Sequence, residues 1–207
     1  MPSPITLRFN GETTIAYIVR FKPSHTEGPP DGGHSDCILP GGAPVGYFGT
    51  DAVGGRGIVF SYATYLTQRR HYVTLANARA EPCISTMLVL DVGKRRAEAF
   101  GDAWLSMRAK TDGFTIAGNN CSTHASRACY AAGLISTHEV DGIDTPDNLY
   151  DQIVSESPVA WKSYSGYLDF EPVGSGADLL MLPYAVTLDA TAVPTIGGPR
   201  GGGGSTL

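Results

Sequence analysis

The clearest pattern in the chain is an alternation of apolar and polar side chains near its start. Apolar residues occupy every second position of one segment, namely Ile15, Tyr17, Val19 and Phe21. This period of two places them on one face of an extended strand. A shorter apolar run at residues 5–9 precedes it, and Asn10-Gly11 between the two is a dipeptide typical of tight hairpin turns. We therefore predict a β-hairpin formed by residues 5–9 and 14–21.

Other apolar segments predict further strands and two helices. The predicted strands are residues 58–60, 72–75 and 86–90, followed by several within 161–190. A helix is predicted from Asp91 to about Ala109, because Phe100, Trp104 and Met107 recur at helical spacing. Thr145-Pro146 combines a capping residue with a proline at the first helical position, which predicts a short helix through about Ile153.

Composition favours one soluble domain, and the fold class that we predict for it is α+β. The chain has 207 residues, 42% of them hydrophobic and 17% charged, which is enough to bury a core. Its 26 glycines and 14 prolines indicate many turns and hairpins rather than a helical bundle. We predict a single domain over residues 1–196. The Gly-rich tail, residues 197–207, is expected to be flexible.

Charge and cysteine spacing exclude several function classes. A net charge of −5 argues against nucleic acid as the main partner. The four cysteines show no CxxC spacing, so we expect neither a metal site nor a cofactor. No apolar run approaches the ~20 residues of a transmembrane helix. The start of the chain lacks a basic and then apolar leader, so export is expected to proceed without a cleaved signal peptide.

The segment around Cys121 is the strongest candidate for chemistry. Asn119 and Asn120 precede a run of small residues, and asparagine is among the best helix N-caps. The helix so begun ends near Gly133, a favourable residue after a helix. Cys121 then lies in the first turn, where unpaired N–H groups and the helix dipole stabilise a thiolate. On its own, a cysteine on an alanine-rich helix is more often a buried packing residue.

His34 supplies a partner in a second predicted hairpin. A short strand beginning at His34, a turn at Gly41-Gly42 and a second strand make up this hairpin. Three segments, GGHSDCIL, GNNCSTHASRACYAAGL and DTPDNLY, resemble the circularly permuted branch of the papain-like superfamily, in which the histidine precedes the cysteine. That branch includes bacterial cell-wall hydrolases and the lecithin–retinol acyltransferase group. The resemblance spans roughly His34 to Tyr150 and implies an antiparallel sheet packed against a helix that carries the nucleophilic cysteine.

The resemblance implies a nucleophile, a base and a third polar residue. Cys121 is the expected nucleophile and His34 the expected general base. If the hairpin turns at Gly41-Gly42, residue 34 faces residue 49, and Asp51 becomes the diagonal neighbour that could orient His34. Asp36, two residues along the strand on the same face, is the second choice.

Other histidines and cysteines are expected to be structural. His124 lies three residues after Cys121 on roughly the same helix face and is a rival base, but we expect it to support the site rather than to react. Cys129 and Cys37 are expected to face the core.

The resemblance implies a cysteine hydrolase that cleaves an amide bond in peptidoglycan peptides. A compact hydrolase without a leader further resembles type VI secretion effectors. Such a protein would lie in the producer's cytoplasm, act in the periplasm of a rival cell, and need a cognate immunity protein. The alternative with the same Cys–His pair is an acyltransferase, thioesterase or deamidase acting on a lipid or protein. A non-catalytic binding module is the third hypothesis.

Overall fold

The computed structural model describes residues 4–9, 11–21, 33–49, 56–110, 113–115, 118–138, 144–173 and 176–189. These residues form a mixed fold of helices and one antiparallel sheet, in the strand order β1-β8-β7-β6-β2-β3-β4-β5. The strands are β1 Ile5–Arg8, β2 Thr14–Phe21, β3 His34–Ile38, β4 Pro44–Gly49, β5 Gly57–Phe60, β6 Ile84–Asp91, β7 Trp161–Val173 and β8 Gly176–Asp189. The predicted combination of helices with an antiparallel sheet is confirmed at this level.

In the described ranges, five α-helices and one short 3-10 helix connect the strands. They are α1 Tyr62–Gln68, the 3-10 helix Arg70–Tyr72, α2 Leu75–Ala80, α3 Lys94–Arg108, α4 Cys121–Ala131 and α5 Pro146–Glu156. The predicted helices at 91–109 and after Thr145 are confirmed, the first beginning slightly later. The predicted strand at 72–75 is wrong, because these residues end the 3-10 helix and begin α2.

The predicted hairpin between residues 5–9 and 14–21 is also wrong. β1 pairs with β8 at one edge of the sheet, with Ile5 opposite Met181. β2 instead lies between β3 and β6. The physical reason is that β2 is buried on both faces along most of its length. A strand with two buried faces gains most from a central position flanked on both sides.

Two apolar cores lie on opposite faces of the sheet. Tyr17 and Val19 of β2 pack in the core that α3, α4 and α5 cover. Ala16 and Ile18 point to the other face, where residues of α1 and the 3-10 helix complete a second core. Alternation along each strand therefore decides which layer a side chain enters.

The pairing between β3 and β4 ends before either strand does. Asp36 opposite Gly46 is the last pair, whereas β3 continues back to His34 and β4 continues forward to Gly49. The first residues of β3 pair with β2, and the last residues of β4 pair with β5. The two strands therefore separate at the His34 end. α4 packs against both of them.

Among the described residues, no helix is long and apolar enough to cross a membrane. Within the same ranges, no group of three or more His, Cys, Asp or Glu side chains is placed to hold a metal ion. The predicted tail at 197–207 lies outside the described residues.

Candidate active site

The start of α4 is fixed by reciprocal hydrogen bonds between Asn120 and Thr123. The Thr123 main-chain N–H donates to the Asn120 side chain at 3.0 Å, and the Asn120 N–H donates to the Thr123 hydroxyl at 2.8 Å. This capping box leaves Cys121 as the first helical residue. The end of α4 is also as predicted, because Gly133 adopts a left-handed φ of 65°.

The first turn of α4 lies inside the protein, although its residues are polar. Ser122, Thr123 and His124 are all buried, and Cys121 is only 8% exposed. Because solvent is largely excluded here, the N–H groups of this turn act in a low-dielectric setting where they stabilise an anion strongly.

Cys121 is hydrogen-bonded to His34, the first residue of β3. The imidazole packs against Phe48, with ring centroids 4.1 Å apart, and stacks on Tyr72 at 5.4 Å. These two rings belong to the core on the face away from α4. The thiol and the imidazole therefore meet at the end of β3 where it has separated from β4.

The other nitrogen of the imidazole is held by Asp36. His34 Nε2 lies 2.7 Å from Asp36 Oδ1, which leaves Nδ1 for the thiol. The Asp36 carboxylate is fully buried and also accepts hydrogen bonds from Arg20 Nε at 2.9 Å and from the Tyr65 hydroxyl at 2.6 Å. Three donors thus fix this carboxylate, and through it the orientation of the imidazole.

Arg20 compensates the buried charge of Asp36. Its guanidinium also donates to the main-chain oxygen of Tyr72 at 2.9 Å and to the Ser85 hydroxyl at 3.1 Å. Burial raises the pKa of Asp36, but the positive charges of His34 and Arg20 outweigh burial and lower it. Asp36 is therefore a carboxylate at neutral pH.

The charges at the site favour a thiolate beside an imidazolium. Burial alone raises the pKa of the Cys121 thiol, but the His34 charge, the His34 hydrogen bond and two hydrogen bonds from Ser35 lower it to about 7. Burial alone lowers the pKa of His34, but Asp36 and Cys121 raise it to about 9. Between these values the thiol is deprotonated while the imidazole keeps its proton.

The remaining cysteines and histidine near the site have the structural positions that the sequence predicts. Cys37 and Cys129 are buried in the core beneath α4, and burial raises the pKa of both thiols. His124 stacks on Tyr47 at a centroid distance of 3.5 Å, and its Nδ1 lies 3.1 Å from the main-chain oxygen of Asn120. This placement gives His124 a role in holding the first turn of α4.

Asp51, the first choice for the residue that orients His34, lies outside the described residues. The predicted pairing of β3 with β4, from which Asp51 was inferred, is wrong by one residue. Asp36 pairs with Gly46, which places Phe48 rather than Gly49 across from His34. Asp36, the second choice from the sequence, is the carboxylate that contacts His34.

Sequence reasoning missed Arg20, Tyr65 and Ser35. Arg20 did carry a signal, because a charged residue inside an apolar strand needs a buried partner. Tyr65 lies on α1, a helix that the sequence analysis did not predict. Ser35 carried no signal in the sequence beyond its position next to His34.

Comparisons of the chain with models of protein families, with curated proteins and with solved structures found no match.

Proposed function

We propose that this protein is a cysteine hydrolase in which Cys121 is the nucleophile, His34 the acid–base residue and Asp36 the residue that orients His34. One observation carries the proposal. A thiol in the first turn of a helix is hydrogen-bonded to an imidazole whose other nitrogen is held by a buried carboxylate. This chain of contacts activates a nucleophile and fixes its base, as nucleophilic catalysis requires.

The chemistry follows from the charges of the pair. The Cys121 thiolate attacks the carbonyl carbon of an amide, a C–S bond forms, and the carbonyl oxygen takes the electron pair next to the N–H groups of the α4 first turn. As the intermediate collapses, the C–N bond breaks and the imidazolium of His34 protonates the departing amine. A water molecule then attacks the thioester while His34 accepts its proton, and Cys121 leaves as a thiolate.

A permuted papain-like arrangement is part of this proposal. Its support is the chain order, with a strand-borne histidine before a cysteine that begins a helix packed on the same antiparallel sheet. The segments around His34, Cys121 and Thr145 also resemble that superfamily.

Peptidoglycan peptides are the proposed substrate, and an antibacterial effector with a cognate immunity protein is the proposed biological context. The support is the resemblance to cell-wall hydrolases. The net charge of −5 also disfavours nucleic-acid substrates. The proposed site of action is the periplasm of a target cell.

The direct test is digestion of purified peptidoglycan, with the products identified by mass spectrometry. Wild type should release new peptide fragments, Cys121→Ala should release none, and Cys129→Ala, a matched change later in the same helix, should release the wild-type set. Digestion by Cys121→Ala would overturn the mechanism. Intact peptidoglycan together with rapid alkylation of Cys121 at neutral pH would overturn this substrate and favour acyl transfer or deamidation.

The effector context has its own test. Directing the wild-type protein to the periplasm of a Gram-negative host should lyse the cells, whereas the same protein kept in the cytoplasm should not. Equal growth with periplasmic wild type and periplasmic Cys121→Ala would contradict the proposed site of action.

A further inference from the structure

Ser35 makes two contacts to the reacting sulfur that the Cys–His–Asp arrangement does not use. Its main-chain N–H and its hydroxyl both donate hydrogen bonds to the sulfur of Cys121. Ser35 itself is fully buried. Both donors therefore act where water cannot replace them.

The separation of β3 from β4 explains why the main-chain N–H is available. Ser35 lies opposite Val19 of β2, but the pairing with β4 begins only at Asp36. On the β4 side, Ser35 therefore lies beyond the last strand pair. The sulfur at the start of α4 takes the hydrogen bond that a longer β4 ladder would otherwise accept.

Alternation along β3 explains the direction of the hydroxyl. Cys37, two residues on, faces the core under α4, so Ser35 faces the same layer. There its Oγ lies 3.0 Å from Ser122 Oγ. The Tyr17 hydroxyl donates its proton to the main-chain oxygen of Pro146 at 2.9 Å, so towards Ser35 it is an acceptor that competes with the sulfur for the single Ser35 hydroxyl proton.

We propose that Ser35 is a further catalytic residue, whose N–H and hydroxyl hold the Cys121 thiolate ready for attack. Since this role concerns the same site, it rests on the proposed cysteine chemistry. A hydroxyl donates far more strongly to a thiolate than to a thiol, so its effect falls mainly on the reactive form. When the C–S bond forms, the sulfur loses its charge, and the Ser35 hydroxyl is free to donate to Ser122 or Tyr17 instead.

The test is the rate at which Cys121 reacts with iodoacetamide from pH 5 to pH 10, with the alkylated peptide identified by mass spectrometry. Ser35→Ala removes the hydroxyl and leaves no buried charge unpaired. A lost hydrogen bond to a charged group should move the midpoint of the profile upward by about one pH unit. At pH 6 the rate should then fall about tenfold.

Two matched variants separate this effect from a general loosening of the site. Ser122→Ala removes the neighbour of Ser35 but keeps the hydroxyl that bonds the sulfur. Ser126→Ala changes a buried serine of α4 whose hydroxyl has no hydrogen-bond partner among the described residues. Both should keep the wild-type midpoint, and thermal denaturation should show all three variants folded.

The midpoint depends on every charged or titratable group around the sulfur. In the described part of the chain, His34, Tyr17 and Cys37 interact electrostatically with Cys121, whereas Asp36 acts on His34, Arg20 acts on Asp36, and Asp144 acts on Tyr17. Burial raises the pKa of Tyr17 and Cys37, and Asp36 stays ionised. Since the three serine variants change none of these groups, a shift confined to Ser35→Ala is assigned to the lost hydroxyl.

Alkylation involves no substrate, so the two proposals can fail separately. An unchanged midpoint in Ser35→Ala, or an equal shift in Ser126→Ala, would overturn the role of Ser35 while leaving the Cys–His pair in place. A wild-type midpoint in the range of an ordinary thiol would overturn the thiolate itself, and with it both proposals.

Discussion

The two ends of α4 each carry a buried cysteine, and the surroundings of the two thiols are opposite. Cys121 is 8% exposed in the first turn, and Cys129 is 1% exposed in the last. Burial disfavours the thiolate at both positions. At Cys129 the negative charge of Asp144 adds to burial, and the pKa rises. At Cys121 the charge of His34 and the donors of Ser35 reverse the direction.

This contrast indicates that the neighbours of a buried cysteine and its place in the helix, rather than burial, decide whether its thiolate form is favoured. The first turn offers N–H groups that have no carbonyl partner within the helix, together with the positive end of the helix dipole, whereas the last turn offers carbonyl oxygens and the negative end. The same side chain is therefore a nucleophile candidate at one end of α4 and a packing residue at the other.

Replacing each cysteine in turn should give the largest difference. Cys121→Ala should abolish both hydrolysis and labelling by iodoacetamide at pH 7, because the reacting atom is gone. Cys129→Ala should keep labelling at the wild-type rate and lower the free energy of unfolding by about 1 kcal/mol through a small cavity. Peptide mapping after labelling checks the first change and urea denaturation checks the second. Labelling of Cys129 in wild type under these conditions would contradict the contrast.

Removing the imidazolium of His34 should make the thiol of Cys121 as unreactive as the thiol of Cys129. In His34→Gln the charge that opposes burial is lost, so the pKa of Cys121 should rise above 9. Alkylation at pH 7 should then fall about 100-fold, in proportion to the thiolate fraction. His71→Gln is a suitable control, because His71 lies on the 3-10 helix and pairs with Glu81 at 3.1 Å. Wild-type alkylation by His34→Gln would show that the helix start and the Ser35 donors activate the thiol without His34.

The rate of hydrolysis should depend on pH through the coupled titration of Cys121 and His34. Hydrolysis needs the thiolate of Cys121 and the proton of His34, so the rate should rise with pH through about 7 and fall through about 9. These two steps belong to the pair as a whole. From pH 8 down to pH 6 the rate should drop about tenfold. A rate that keeps rising beyond pH 10 would contradict a role for the imidazolium.

The parts of this picture that the sequence predicted are the local ones. The Asn120 cap and the Gly133 end of α4 depend on a few neighbouring residues, so both were predictable. The pairing of β1 with β8 joins residues that are far apart in the chain, and a nearby Asn-Gly dipeptide wrongly suggested a local partner. Likewise, the hairpin of β3 and β4 was predictable, but its register was not.

In the candidate site, too, the local features were predictable from the sequence and the long-range contacts were not. Cys121 and His34 carried local signals, whereas their contact depends on how α4 meets the end of β3. The support for Asp36 comes from Arg20 on β2 and Tyr65 on α1. No spacing rule brings three such distant residues together, so only the folded chain reveals this buried network.

The smallest change that should reduce the difference in reactivity between Cys121 and Cys129 is a single methyl group added at Gly46. This glycine lies opposite Asp36, and a Cβ there would overlap the Asp36 carboxylate and the Tyr65 hydroxyl. Asp36 is held by Arg20 and His34, so it cannot move without loosening the imidazole. In Gly46→Ala, alkylation of Cys121 at pH 7 should fall several-fold, and overpacking should cost about 1–3 kcal/mol of stability.

The matched control for Gly46→Ala is Gly101→Ala on α3. A Cβ at Gly101 meets no atom of the described residues within 4 Å, and alanine favours a helix over glycine by up to about 1 kcal/mol. This variant should therefore gain stability while Cys121 alkylates at the wild-type rate. If Gly46→Ala kept the wild-type rate and pH midpoint, the exact placement of Asp36 would not matter for the thiolate. The difference between the two cysteines of α4 would then rest on His34, Ser35 and the two helix ends, without a contribution from the placement of Asp36.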